Sequence, residues 1–176
     1  VKAHRAGVRL AEKVCSVRIP ELADVVVASS FPADINFWQA GKSLYTADLA
    51  VRDGGAIVLV TPALEGIGEH PEFGPLIGQS RNSILKMLED GRVSDRLGAA
   101  AALAVRLVAD RASIILVTDG LTDDDTQVMG FERFDSGRLQ QAFDRALEIA
   151  RATGAQRPAA TVLSEAPDTL PIIEQS

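Results

Sequence analysis

Short apolar runs alternate with longer amphipathic segments along most of the chain. Four runs are rich in β-branched residues, which is typical of strands buried on both faces, and they lie at residues 24–29, 56–61, 113–118 and 160–165. Apolar residues at helical spacing predict helices at residues 2–15, 35–50, 80–90, 94–110 and 137–153. Strands that alternate with helices favour a parallel sheet covered on both faces. The pattern predicts one Rossmann-like, three-layer αβα domain over residues 1–176, with a mostly parallel sheet of about four strands.

The loops that follow the strands are the expected place for a ligand, because open α/β sheets bind ligands beyond the carboxyl ends of their strands. These loops cover residues 29–36, 62–79, 119–130 and 165–171. The second contains four glycines and three prolines, and loops of this length tend to be functional. The first leads into the richest group of polar side chains, at residues 34–42.

Gln39 and Lys42 are three residues apart, so on a helix both side chains leave one face. An amide and an ammonium near the amino-terminal end of a helix suit a small carboxylate, which needs charge-assisted donors. The same spacing also fits the solvated face of an ordinary amphipathic helix. We predict that the two side chains project together from the first turns of the helix after the first strand.

Composition narrows the possible partners. The net charge is −6 without a basic cluster, so nucleic acid is excluded as a partner. No apolar run approaches the ~20 residues of a membrane span, so a membrane-spanning protein is excluded as well. The only cysteine, Cys15, excludes an internal disulfide and fits a reducing cytosol, so we expect a cytoplasmic protein.

The stretch Pro32-x-Asp34-x-Asn36-x-Trp38-Gln39-x-x-Lys42 resembles the signature P-x-D-x-N-x-Y-Q-x-x-K of the nickel-dependent lactate racemases and their relatives. The later Glu65-Gly66-x-Gly68, followed by Phe73, resembles a glycine-containing loop of the same family. The similarity extends over most of the chain, but only as far as that family's carboxyl-terminal domain.

The resemblance implies a two-domain racemase or epimerase of 2-hydroxy acids with its active site between the domains. Its cofactor is a nickel pincer nucleotide, which takes a hydride from the substrate carbinol carbon and returns it to either face. The family's amino-terminal domain supplies the cofactor lysine and the histidines. Its carboxyl-terminal domain holds the substrate through the Gln and Lys of the motif, which correspond to Gln39 and Lys42. Trp38 stands beside them in the substrate site, where the family has Tyr.

Two departures from the family pattern put lactate itself in doubt as the substrate. Ser29 and Ser30 stand where the family has two glycines, and Trp38 is larger than Tyr and lacks its hydroxyl. The only histidines, His4 and His70, form no metal-ligand pattern. We therefore expect neither a metal nor a cofactor on this chain, and no activity from it alone.

The chain is therefore expected to be the carboxyl-terminal domain of a longer protein whose amino-terminal domain is its partner. Val1 as the first residue fits that expectation, and removal of an initiator methionine explains it equally well. Two other functions stay open: a Rossmann-like nucleotide-binding domain, and a non-catalytic binding module. The first is poorly supported, because no complete G-x-G-x-x-G follows a predicted strand.

The remaining polar residues have simpler explanations. Asp34 and Asn36 are expected to cap a helix, and His70 is expected to lie on the surface. Glu65 fits a loop cap as well as a role in the cleft. Cys15 is expected to be a small buried hydrophobe. The acidic residues 123–125 lack the spacing of a calcium loop and are interpreted as solvated charge.

Overall fold

The computed structural model describes residues 1–174, which form seven strands and eight α-helices. The strands are β1 (Ser16–Ile19), β2 (Ala23–Ser29), β3 (Val51–Val60), β4 (Ser113–Val117), β5 (Glu132–Phe134), β6 (Ala160–Leu163) and β7 (Leu170–Ile173). The helices are α1 (Lys2–Cys15), α2 (Phe37–Ala40), α3 (Lys42–Asp48), α4 (Phe73–Ile77), α5 (Arg81–Glu89), α6 (Arg96–Ala109), α7 (Asp123–Met129) and α8 (Leu139–Ala152). Short 3-10 turns cover Ser136–Arg138 and Ala166–Asp168.

Five strands form one parallel sheet in the order β5-β4-β3-β2-β6. Successive connections step from β2 to β5 in one direction, and the connection through α8 then returns across the sheet to β6. Parallel crossovers are right-handed, so the outward and return connections place their helices on opposite faces. The carboxyl ends of β2, β3 and β4 therefore meet along one edge of the sheet.

Both faces of the sheet are buried, which explains the continuous apolar runs in the sequence. Ile57 and Leu59 of β3 pack into the larger core, together with side chains from α2 to α7. The alternate residues Ala56 and Val58 face α8 in a smaller core. A side-chain period of two sends successive residues to opposite faces, so both sets must be apolar.

Helix α8 lies against the sheet through a stripe of small residues. Ala142, Ala146 and Ala150 recur every four residues, and all three are fully buried against β2, β3 and β4. Small side chains at this spacing place the helix backbone close to the sheet. The remaining sides of α8 are partly or fully exposed and carry its charged residues.

The structure confirms the α/β fold with its mostly parallel sheet, and the four predicted strands lie in the main sheet. Strand β5 extends that sheet to five strands, and β1 pairs with β7 in a second, two-stranded parallel sheet. These added strands have only three or four residues, too few to show a clear period. Two predicted loops also contain helices: α4 lies within 62–79, and α7 within 119–130.

The segment 35–50 is two short helices and not one, because the first ends after Ala40 and the next begins at Lys42. Gly54 and Gly55 lie within β3. A Cβ at Gly55 would lie 2.6 Å from the Asp24 carbonyl oxygen, so glycine permits the close approach of β2 beside a register shift.

Helix α1 forms as predicted, but none of its residues is buried. Its apolar residues Val8 and Val14 are 42% and 77% exposed, and Cys15 at its end is only partly buried. The expectation of a buried Cys15 was therefore wrong. No helix within residues 1–174 is both long enough and apolar enough to cross a membrane.

Candidate functional site

The first motif forms the turn that connects β2 to α2. The Ser30 N–H donates to the Val60 carbonyl of β3 at 3.0 Å, and a cis peptide bond joins Phe31 to Pro32. Asn36 caps α2, because its side-chain oxygen accepts the backbone N–H of Gln39 at 3.0 Å. The expected cap is thereby confirmed for Asn36.

Asp34 is not a helix cap, contrary to expectation, since the cap position belongs to Asn36. Its backbone carbonyl instead accepts the N–H of Ala63 from the loop after β3, at 3.1 Å. Asp34 therefore lies where the two motif-bearing loops meet.

The glycine-containing loop packs directly on this turn. The backbone N–H groups of Phe37 and Trp38 donate to the carbonyls of Gly66 and Ile67, both at 2.9 Å. Gly68 has φ +114°, and a Cβ there would lie 2.8 Å from Trp38 Cβ. Two motifs that are separated in sequence therefore form one structural unit at the carboxyl edge of the sheet.

Gln39 and Lys42 lie side by side in this unit. Lys42 Nζ donates to Gln39 Oε1 at 2.5 Å; Lys42 is exposed and Gln39 is half-buried. Because the amide oxygen accepts from lysine, the amide NH₂ remains available as a donor, together with the other N–H groups of the ammonium. No further hydrogen bond from these two side chains occurs among residues 1–174. The pair thus presents donors suited to a carboxylate.

The sequence led us to expect a helix dipole at this site, but its contribution is small. Gln39 belongs to a four-residue helix, and Lys42 begins a separate helix of seven residues. A macrodipole needs a run of aligned peptide units, and these helices provide few. Any attraction for an anion at this point comes mainly from the two side chains.

His70 is more constrained than the expected surface histidine. Its side chain is 23% exposed, and its Nδ1 lies 2.6 Å from Asp95 Oδ2. Its ring stacks on the indole of Trp38, with centroids 3.9 Å apart and planes inclined by 31°. Phe73 packs edge-on against the same indole at 5.0 Å. His70 and Phe73 therefore both contact Trp38, and Asp95 contacts His70.

Asp95 and Glu72 attach the His70 loop to the start of α6. The backbone N–H of Gly98, followed by the His70 side chain, lowers the pKa of Asp95. The hydroxyl of Ser94 donates to Glu72 at 2.6 Å and is the main reason for the lowered pKa of Glu72. The sequence places Asp95 near the start of the helix predicted at 94–110, but it does not indicate the contact with a histidine 25 positions away.

The other residues singled out from sequence lie outside this cluster of contacts. Glu65 is exposed and joins the turn through its backbone, which donates to the Ile35 carbonyl at 3.0 Å. Asp125 forms a capping box with Thr122 at the start of α7, and Asp123 pairs with Arg133 at 2.9 Å. The acidic residues 123–125 thus form the first turn of α7, and Asp123 also makes an ion pair.

No group of three or more His, Cys, Asp or Glu side chains within 1–174 is arranged to hold a metal ion. A separate cleft beside β4 and β5 is lined by Arg106 and Arg145, among others. Both arginines are already paired with carboxylates, Asp110 and Glu132 respectively. The carboxyl edge around Trp38, Gln39 and Lys42 is therefore the better candidate site.

Two solved structures resemble the fold over nearly the whole chain. The lactate racemase apoprotein from Thermoanaerobacterium thermosaccharolyticum matches 99% of this chain, with a TM-score of 0.75 and 22% identity. A protein from Thermotoga maritima matches 98% of it, with a TM-score of 0.65 and 13% identity. This chain covers only 40% and 42% of those two chains, respectively.

The comparison with protein-family models agrees with the motif. No curated protein matches the sequence. The family model described as the lactate racemase C-terminal domain matches residues 19–170, a range that includes both motifs and the whole main sheet. The resemblance inferred from Pro32 to Lys42 is thereby confirmed, and the chain belongs to the lactate racemase C-terminal domain family.

Proposed function

We propose that this chain is the substrate-binding carboxyl-terminal domain of a larger, two-domain racemase or epimerase that acts on 2-hydroxy acids by reversible hydride transfer. The main support is the pair of Gln39 and Lys42, whose free donors lie together at the carboxyl edge of the sheet. A 2-hydroxy acid offers a carboxylate to such donors. Membership of the family agrees with this assignment.

The role proposed for Gln39 and Lys42 is to hold and orient the substrate carboxylate. Lys42 supplies the charge, and its bond to Gln39 Oε1 turns the amide NH₂ outward as a second donor. Two donors restrict the rotation of a carboxylate more than one does, which helps to bring the carbinol carbon into a fixed position. Trp38, next in sequence, is proposed to form the wall beside this clamp.

The described residues do not fit a nickel site, since they contain no suitable cluster of ligands. We propose that the nickel pincer nucleotide expected from the resemblance is held by the amino-terminal domain of the same protein. The reacting groups for hydride and proton transfer are proposed to lie there as well. The isolated chain is accordingly expected to bind substrate weakly and to racemise nothing.

The structure does not favour a Rossmann-like nucleotide-binding function. Phosphate binding in that class uses a glycine-rich turn at the start of a long helix. Here β2 is followed by Ser30, Phe31 and Pro32, and α2 has only four residues. The site is better suited to a small carboxylate than to a pyrophosphate.

The sharpest test is Gln39→Glu in the full-length enzyme. The new carboxylate keeps the size of the side chain and its contact with Lys42, but it replaces the outward amide donor by an oxygen. The substrate carboxylate then loses the hydrogen bond that the amide NH₂ donates to it. A hydrogen bond to a charged group such as this carboxylate contributes about 1.5–3 kcal/mol. We expect kcat/KM to fall about tenfold to a hundredfold, and Lys42→Met to have a similar effect.

Lys86→Met on α5 is the matched control, because this lysine is also exposed and lies outside the motif. The measurements are steady-state kinetics on a panel of 2-hydroxy acids, with thermal melting to check folding. Unchanged kcat/KM in both Gln39→Glu and Lys42→Met, on every acid turned over by the wild type, would refute the role of the clamp.

A further inference from the structure

Trp38 is held by two aromatic neighbours from the loop after β3. His70 covers its face at a centroid distance of 3.9 Å, and Phe73 packs edge-on at 5.0 Å. Phe73 is itself buried in the core. Phe73 thus holds the indole against the core, and His70 covers one face of the ring.

His70 is oriented by Asp95. Asp95 is a carboxylate at neutral pH, and its pKa is lowered further by the Gly98 N–H and by His70. A carboxylate only accepts hydrogen bonds, so His70 Nδ1 is the donor in their 2.6 Å contact. The second oxygen of Asp95 accepts the Gly98 N–H at 2.8 Å. The imidazole is therefore aligned by a group that is itself fixed to the first turn of α6.

The loop that contains His70 has a second attachment to the same helix start. Glu72 accepts hydrogen bonds from the Ser94 hydroxyl at 2.6 Å and from the Ser94 N–H at 3.2 Å. Helix α6 is anchored in the main core through Ala99, Ala102 and Val105. The orientation of Trp38 is thus tied, through His70 and Asp95, to a helix that is packed into the main core.

We infer that His70, oriented by Asp95, is a positioning residue of the site, which holds the Trp38 indole in the orientation that decides which substrate side chains fit beside Gln39 and Lys42. This inference rests on the proposed function. Trp38 and Lys42 are four residues apart, and Gly41 between α2 and α3 keeps a helical backbone, so the two side chains leave the same face. Rotation of the indole therefore changes the space next to the clamp. A stacked and hydrogen-bonded imidazole restricts that rotation, whereas a small aliphatic side chain does not.

The first experiment uses fluorescence of this chain. Trp38 is its only tryptophan, so the emission reports on the indole alone. We expect His70→Ala to shift the emission to longer wavelength and to increase quenching by acrylamide, because one face of the ring becomes exposed to water. His70→Phe should restore most of the wild-type emission by replacing the stacked ring.

Ser94→Ala is the matched control for the loop itself. It removes the hydrogen bond from the Ser94 hydroxyl to Glu72 but leaves the stack of His70 on Trp38 intact. We expect wild-type emission from this variant. Wild-type emission from His70→Ala would overturn the inference, because His70 would then not hold the indole.

The second experiment measures substrate preference in the full-length enzyme. We expect His70→Ala to raise KM for 2-hydroxy acids with larger side chains about tenfold, through lost positioning. The effect on kcat and on the smallest acids should be weaker, and His70→Phe should restore much of the preference. A shifted emission with an unchanged order of preference would also overturn the inference, because the stack would then be only structural.

The two proposals fail in different ways. If the wild-type enzyme turns over no 2-hydroxy acid, the proposed function fails, and the role of His70 in selecting among these acids fails with it. The emission of His70→Ala would still show whether His70 orients Trp38. If Gln39→Glu is impaired while His70→Ala keeps the wild-type preference, only the role of His70 is refuted.

Discussion

Replacing Gly68 by alanine tests whether the two motifs form the compact unit described above. Gly68 has φ +114°, and strain of this kind costs roughly 1–3 kcal/mol for a residue with a side chain. The new Cβ would lie 2.8 Å from Trp38 Cβ, so packed atoms must move, at a further cost of about 1–3 kcal/mol. The neighbouring backbone cannot move easily, because the Trp38 N–H is bonded to the Ile67 carbonyl. We expect Gly68→Ala to destabilise the fold by about 2–6 kcal/mol.

Gly66→Ala is the control for this prediction. Gly66 also has a positive φ, +69°, but a Cβ there would meet nothing within 4 Å. Only the conformational cost remains, about 1–2 kcal/mol. The assay is urea unfolding followed by far-UV circular dichroism and by Trp38 emission. Equal losses of unfolding free energy in the two variants would show that Gly68 is not packed against Trp38 as described.

Two further predictions concern charge and packing. The pKa of Glu72 is lowered by its bonds from Ser94, so its stabilising contribution is present at neutral pH and is lost as the pH falls below the ordinary value of about 4. Urea unfolding at several pH values should therefore show a shallower acid loss in Glu72→Gln than in the wild type, and parallel curves would contradict this. Ala146→Leu should overfill the contact between α8 and the sheet and lower the unfolding free energy by about 1–3 kcal/mol. Arg151→Leu, at an exposed position of the same helix, should change it little; equal effects would contradict the packing of α8.

The sequence was most informative where the pattern was long and strong. Its four apolar runs and the helices between them determined the α/β class and the parallel sheet, because strands buried on both faces must be apolar along their whole length. The motif from Pro32 to Lys42 determined the family. The three-residue spacing of Gln39 and Lys42 placed their side chains together, even though the helix between them is interrupted.

Short elements and long-range contacts depended on the tertiary structure. Strands such as β5, with three residues, have too few positions for a period to emerge, and they form because a neighbouring strand supplies hydrogen bonds. The same applies to β1 and β7, which lie near opposite ends of the described chain and pair only with each other. Local sequence does not encode a partner of this kind.

The environment of Trp38 shows the same division at the level of single residues. The sequence identified Trp38 and the caps and glycines around it, since these follow from local backbone requirements. It did not identify His70 and Asp95 as its support, because 25 residues separate the two and nothing local to either specifies the other. Packing of the loop after β3 against the start of α6 brings them together. Only the tertiary structure therefore shows that His70, which looks like an ordinary surface histidine in the sequence, is a neighbour of the candidate site.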